Sequence, residues 1–154
     1  MPSVSQSHVR RAWLLAAPVI LLAAGILVWS TRPGDTGEEV KNLLSTGETL
    51  LDQPLSYPTG APAKVTAAII TMQPGDQRGW HKHDVPLLGY VLDGELTIDL
   101  GPLGMRVFKK GEAFLEAVGT AHNGKNLGSR EVRVLAVFMG EEGVPNTVMV
   151  AAPK

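Results

Sequence analysis

The chain has 154 residues, a formal net charge of −1 and no cysteine. That length gives room for one domain with a core of its own, and the charge balance leaves neither a nucleic-acid footprint nor a polybasic membrane patch. Without cysteine there are no disulfides, no catalytic thiol and no thiolate-bound metal, so any metal site must be built from histidine, carboxylate or backbone oxygen.

Residues 12–29 (AWLLAAPVILLAAGILVW) carry no charge; Arg10 and Arg11 precede them and Arg32 follows. As a helix this segment would be about 27 Å long, close to the thickness of a bilayer core. Trp13 and Trp29 stand near its ends, where interfacial aromatics belong. Pro18 is no obstacle, since membrane helices tolerate proline. The Arg pair keeps residues 1–11 cytoplasmic and sends the rest outward. The expectation is therefore a single-pass anchor in the cell membrane, with the remaining domain on the periplasmic or extracellular side. The rival reading is a signal segment that is cleaved to release a secreted protein. Against it, the small residues Ala23, Ala24 and Gly25 lie inside the run rather than at its end.

Residues 30–46 read as a linker opening on STRPGDTG. Within it, residues 38–44 have the makings of a short helix. Glu38 and Glu39 would sit in its first turn, and Val40, Leu43 and Leu44 would make one apolar face. From residue 47 to residue 154 the pattern is strand and turn. The candidate strands are 49–55, 65–72, 89–92, 95–100, 105–108, 113–115 and 132–139. In residues 95–100 the alternation puts Leu96, Ile98 and Leu100 on one face. Turn signals recur at short intervals, among them Pro74-Gly75, Asp93-Gly94 and Lys110-Gly111. Closely spaced short strands of this kind indicate an all-β barrel or sandwich.

Three of the four histidines fall in this part. His81 and His83 are two apart, so on a strand they point to the same side about 7 Å from each other. His122 follows 39 residues after His83, where a neighbouring strand would bring it opposite. Neutral imidazoles suit Zn, Fe, Ni, Cu or Mn, and the spacing does not choose among them. The alternative is an exposed strand edge at His81 and His83, with His122 in a loop.

Gly75-x5-His81-x-His83, followed by Tyr90-Val-Leu-Asp-Gly94-Glu, resembles the first motif of the cupin superfamily. Gly111-x5-Ala117-x-Gly119-x2-His122-x3-Asn126 resembles the second, with alanine at 117 where proline is usual. The likeness extends over about residues 50–148. It implies a double-stranded β-helix, the jelly-roll barrel of the small single-domain bacterial cupins, with a divalent metal held between the motifs.

One position departs from the pattern. The glutamate that cupins usually supply four residues after the second histidine is replaced by Leu87, on the same strand parity as His81 and His83. Glu116, six residues before His122, is the candidate substitute. It either joins the histidines as a ligand or partner, or points outward to pair with Arg106, Lys109 or Lys110.

A fold does not fix a function. Three neutral histidines leave metal positions open to a small organic molecule, and the resemblance makes dioxygenase-like chemistry, or isomerisation, the leading expectation for an enzyme. The alternative is a non-enzymatic module that binds or senses a small ligand or a metal. Homodimerisation through sheet edges stays open on the sequence.

Overall fold

The computed structural model describes residues 39–154, and the membrane segment expected at 12–29 lies outside them. Among the described residues there is no α-helix, and hence none long and apolar enough to cross a membrane.

Nine strands form the domain. They are β1 (Ala63–Met72), β2 (His81–Lys82), β3 (Leu87–Asp93), β4 (Glu95–Asp99), β5 (Met105–Lys109), β6 (Ala113–Leu115), β7 (Asn123–Lys125), β8 (Val132–Glu141) and β9 (Val148–Met149). One sheet has the order β1-β8-β3-β6 and a second the order β5-β4-β7, while β2 pairs with β9. Single bridges from Gln77 to Lys125 and from His81 to His122 tie β2 and the turn before it to β7. All the strand ladders are antiparallel. The result is the all-β architecture expected from the turn spacing, and it is consistent with the jelly-roll barrel that the cupin resemblance implies.

The core forms where the inner faces meet. Met72, Val91, Phe114, Val132 and Val134 of the first sheet form one cluster with Leu96, Ile98 and Leu100 from β4 and its end. Gly89 makes room for this: a Cβ there would overlap the Phe114 ring. Phe114 in turn stacks on Phe108, with ring centroids 4.1 Å apart. A smaller cluster of Val85, Leu87, Ala136 and Phe138 lies nearer the histidines. The β3–β4 hairpin turns at Asp93-Gly94, where glycine supplies the positive φ of 77°.

Two expectations need correction. Residues 39–46 carry no regular secondary structure, and Val40, Leu43 and Leu44 are exposed. A helix of seven residues cannot recover its nucleation cost unless its apolar face is buried. Residues 49–53 form a hydrogen-bonded turn rather than a strand, closed by Thr49 N to Gln53 O at 2.9 Å, with Asp52 at a φ of 59°. In β4 the alternation holds, with Leu96, Ile98 and Leu100 together in the core, and Thr97 and Asp99 on the opposite face are buried as well. Lys125 of β7 covers Asp99 through a 2.7 Å ion pair, so the polar face lies beneath a neighbour instead of in water. On the other side of the molecule β1 is an edge strand, with Val65 67% and Ile69 55% exposed.

Candidate metal centre

The two histidine-bearing segments meet because β2 and the residue before β7 pair directly. His81 N donates to His122 O at 2.9 Å and His122 N donates to His81 O at 2.8 Å. That two-bond pair sets the rings opposite each other, with centroids 4.5 Å apart. His83, one pleat further on, presents its ring to the same side, with its centroid 5.0 Å from each of the other two. One ring nitrogen from each histidine lies within 4.8 Å of the others, and all three side chains are buried.

Backbone carbonyls fix which nitrogens converge. His81 Nδ1 lies 2.7 Å from Gly79 O, His83 Nδ1 lies 2.6 Å from Asn146 O, and His122 Nδ1 lies 2.8 Å from Thr120 O. A carbonyl can only accept, so each Nδ1 carries the proton and each neutral ring turns the lone pair of its Nε2 inward.

Glu116 lies against two of the three histidines. It follows β6 in an extended segment whose amide donates to Leu87 O at 2.9 Å. Its carboxylate reaches Nε2 of His122 at 3.0 Å and Nε2 of His83 at 3.4 Å. It therefore does not pair outward with Arg106, Lys109 or Lys110; Lys109 and Lys110 instead face Glu95 and Asp93. His122 Nε2 is wholly buried, and the nearest oxygen of the Glu116 carboxylate lies 3.0 Å from it. Two acceptors at that distance repel unless a positive charge lies between them. The protonation preferences agree. Burial pushes the Glu116 carboxyl up, but contact with the His122 and His83 imidazoles outweighs it and holds the group at about 2. Burial likewise lowers His122, and the Glu116 carboxylate beside it more than restores it. His81, mainly through burial, is lowered. Positive charge is thus favoured beside the carboxylate, and the three histidines are placed so that they could hold a metal ion.

His81, His83 and Glu116 line a small cavity. It offers ≈ 50 Å³ to the centres of water molecules, room for a few waters by the usual allowance of roughly 10–15 Å³ each. The rest of its wall is mainly apolar and includes Leu87, Ile98, Phe114 and Phe138, so Leu87 gives the site the apolar wall its strand parity implies. Leu88 turns away to the outer face of the sheet. Asn126 serves the turn after β7: its Nδ2 donates to Met72 O and Arg130 O, and its Oδ1 accepts from Gly128 N.

Two contributors were not singled out from the sequence. Arg78 lines the cavity although much of its side chain is exposed. Asn146, whose carbonyl orients His83, comes from the far C-terminal part of the chain, where no local pattern marks it.

Residues 68–138 match the family model described as the cupin domain. The match and the fold support the cupin superfamily. Among solved structures, the polyketide cyclase RemF from Streptomyces resistomycificus is 23% identical at a TM-score of 0.50, over 62% of this chain and 66% of that one. A protein with a double-stranded β-helix domain from Klebsiella pneumoniae is 15% identical, also at 0.50, over 62% of this chain and 90% of that one. An oxalate decarboxylase from Lactobacillus farciminis is 22% identical at a TM-score of 0.48, over 56% of this chain and 26% of that one. The chain thus spans about a quarter of the decarboxylase and just under two thirds of the cyclase. At these identities the likeness concerns the cupin fold alone. No curated protein matches the chain.

Proposed function

We propose that this cupin holds one divalent metal ion on His81, His83, His122 and Glu116, and binds a small organic molecule beside it. The observation that carries the reading is the convergence of three histidine ring nitrogens within 4.8 Å of one another, with the buried Glu116 carboxylate beside two of the rings and every Nδ1 committed to a backbone carbonyl. A bound ion would supply open positions at which a small molecule is oriented and O₂ activated. Dioxygenase-like oxidation is the leading chemistry on this reading, and small-ligand binding or sensing the alternative. The chain's own residues would do the rest. Leu87, Phe114 and Phe138 exclude bulk water from the apolar side, and Arg78 favours an anionic group on the ligand. Elemental analysis of the purified protein, kept from chelators, should find about one ion per chain. His81→Ala or His122→Ala should lose it while the far-UV spectrum is kept, because the core packs without the ion. A wild-type protein that takes up no divalent metal would overturn the proposal.

We infer from residues 12–29 and the preceding Arg10-Arg11 that the cupin domain works on the outer side of a membrane. Protease added to intact spheroplasts should digest the domain. Protection would show that it lies inside, whereas a mature form beginning after residue 29 would indicate release.

A further inference from the structure

Glu116 belongs to no strand. The ladder of β3 and β6 ends at Leu115, and the extended segment 116–119 continues past the histidines. It is held on one flank by the histidine-bearing chain, through Glu116 N to Leu87 O at 2.9 Å and Gly119 N to His83 O at 2.7 Å. The other flank has no strand to pair with. There the turn at residues 49–53 takes that place. Leu50 N donates to Leu115 O at 2.8 Å. The Gln53 carboxamide then grips Val118 at both ends: Nε2 donates to Val118 O at 3.1 Å, and Oε1 accepts from Val118 N at 3.0 Å.

A side-chain amide that both donates to and accepts from one residue copies the pairing of a missing strand. It works only if the amide is itself held. Thr49, which is buried, provides the hold. Its Oγ1 donates to Gln53 Oε1 at 3.1 Å and accepts from Gln53 N at 3.3 Å, while its backbone N bonds Gln53 O. Leu50 and Leu51 pack on the main core cluster and dock the turn.

We propose that Gln53 is a positioning residue for the metal centre: through its paired bonds to Val118 it fixes the segment that presents the Glu116 carboxylate to His83 and His122. The two bonds act two residues from Glu116, on a stretch with no ladder of its own, so their loss frees the carboxylate to swing toward the apolar cavity. The position of the carboxylate is independent of which cation it faces; only the affinity readout below rests on the metal reading.

The test uses the full-length protein. In Gln53→Ala both bonds vanish. Gln53→Glu keeps the size and the acceptor for Val118 N, but sets an oxygen against Val118 O in place of the donor. Both variants should shift the Nε2 resonances of His83 and His122 in ¹⁵N spectra of the metal-free protein. Both should lower Co²⁺ affinity by about 10-fold, the lower end for loss of a group that orients a ligand. Leu51→Ala loosens the same turn without touching those bonds; it should reduce thermal stability and leave the ring resonances in place. If Gln53→Ala and Gln53→Glu lower stability but leave the imidazole resonances and Co²⁺ affinity unchanged, Gln53 is only a structural clamp and the inference fails. It fails equally if Leu51→Ala moves the resonances as far. A wild-type protein that binds no Co²⁺ would sink the metal reading, while the ring resonances would still decide the role of Gln53.

Discussion

Leu87 and Glu116 lie side by side and contribute opposite chemistry. The Glu116 amide bonds the Leu87 carbonyl, and both side chains enter the same cavity, yet one is apolar and the other charged. Leu87 follows the histidine pair on the chain and keeps its strand parity. Glu116 comes from the neighbouring segment and reaches two histidines at 3.0 and 3.4 Å. What a cation needs is one carboxylate at a given point in space, and either wall can bring it there. On the proposed reading, a carboxylate missing from one stretch of a sequence motif is supplied by the neighbouring segment.

The largest effect should come from removing the charged wall. Glu116→Gln keeps the shape and deletes the charge, so metal affinity should fall by at least about 10–100-fold, the range known for loss of even an outer partner. Isothermal titration with Zn²⁺ or Co²⁺ reads this directly, and an unchanged affinity would remove Glu116 from the site. The comparison sharpens when the charge is moved across. In a Glu116→Gln background, Leu87→Glu should recover a measurable part of the lost affinity. The single Leu87→Glu variant should lose about 1–3 kcal/mol of stability without metal, the usual cost of an unpaired buried polar group, and regain it on metal addition. Absence of rescue would mean that the two walls are not interchangeable.

Much of this architecture was legible in the sequence, for identifiable reasons. Alternation and turn residues marked β3, β4, β6 and β8, because those strands have apolar inner faces between glycine-bearing turns. The histidine triad was legible because two-residue spacing survives folding as one side of a strand. β7 was missed: Asn123-Gly-Lys shows no apolar alternation, and its pairing depends on β4 lying alongside. β9 is two residues long and exists through its contact with β2. For Glu116 the sequence left inward and outward readings open, since its segment is not a strand and parity does not apply. Gln53 gave no signal at all, because its role depends on a contact 65 residues away.

The smallest effect is in the metal-free protein, where Glu116 and His122 form a pair that titrates. The groups around the carboxylate are His81, His83 and His122, with Arg78 on the same cavity. Glu116 is lowered from 4.5 to about 2, so its contribution to stability is complete above 4.5 and is lost as pH falls through about 2. His122 is raised above 6.5, so its contribution is complete below 6.5 and is lost as pH rises through the raised value. His81 is lowered and works the other way, favouring the fold above 6.5 and losing that contribution at lower pH. The Glu116–His122 pair should therefore stabilise the metal-free fold most between 4.5 and 6.5. Thermal melts in chelator across the acid and neutral range, for wild type and Glu116→Gln, isolate that term by difference, because the His81 burial is common to both. The expected difference in Tm is on the order of several degrees in that window and shrinks on either side. A difference that does not vary with pH would mean that Glu116 and the histidines do not share a proton, and would leave the carboxylate as a ligand in waiting rather than one half of an ion pair.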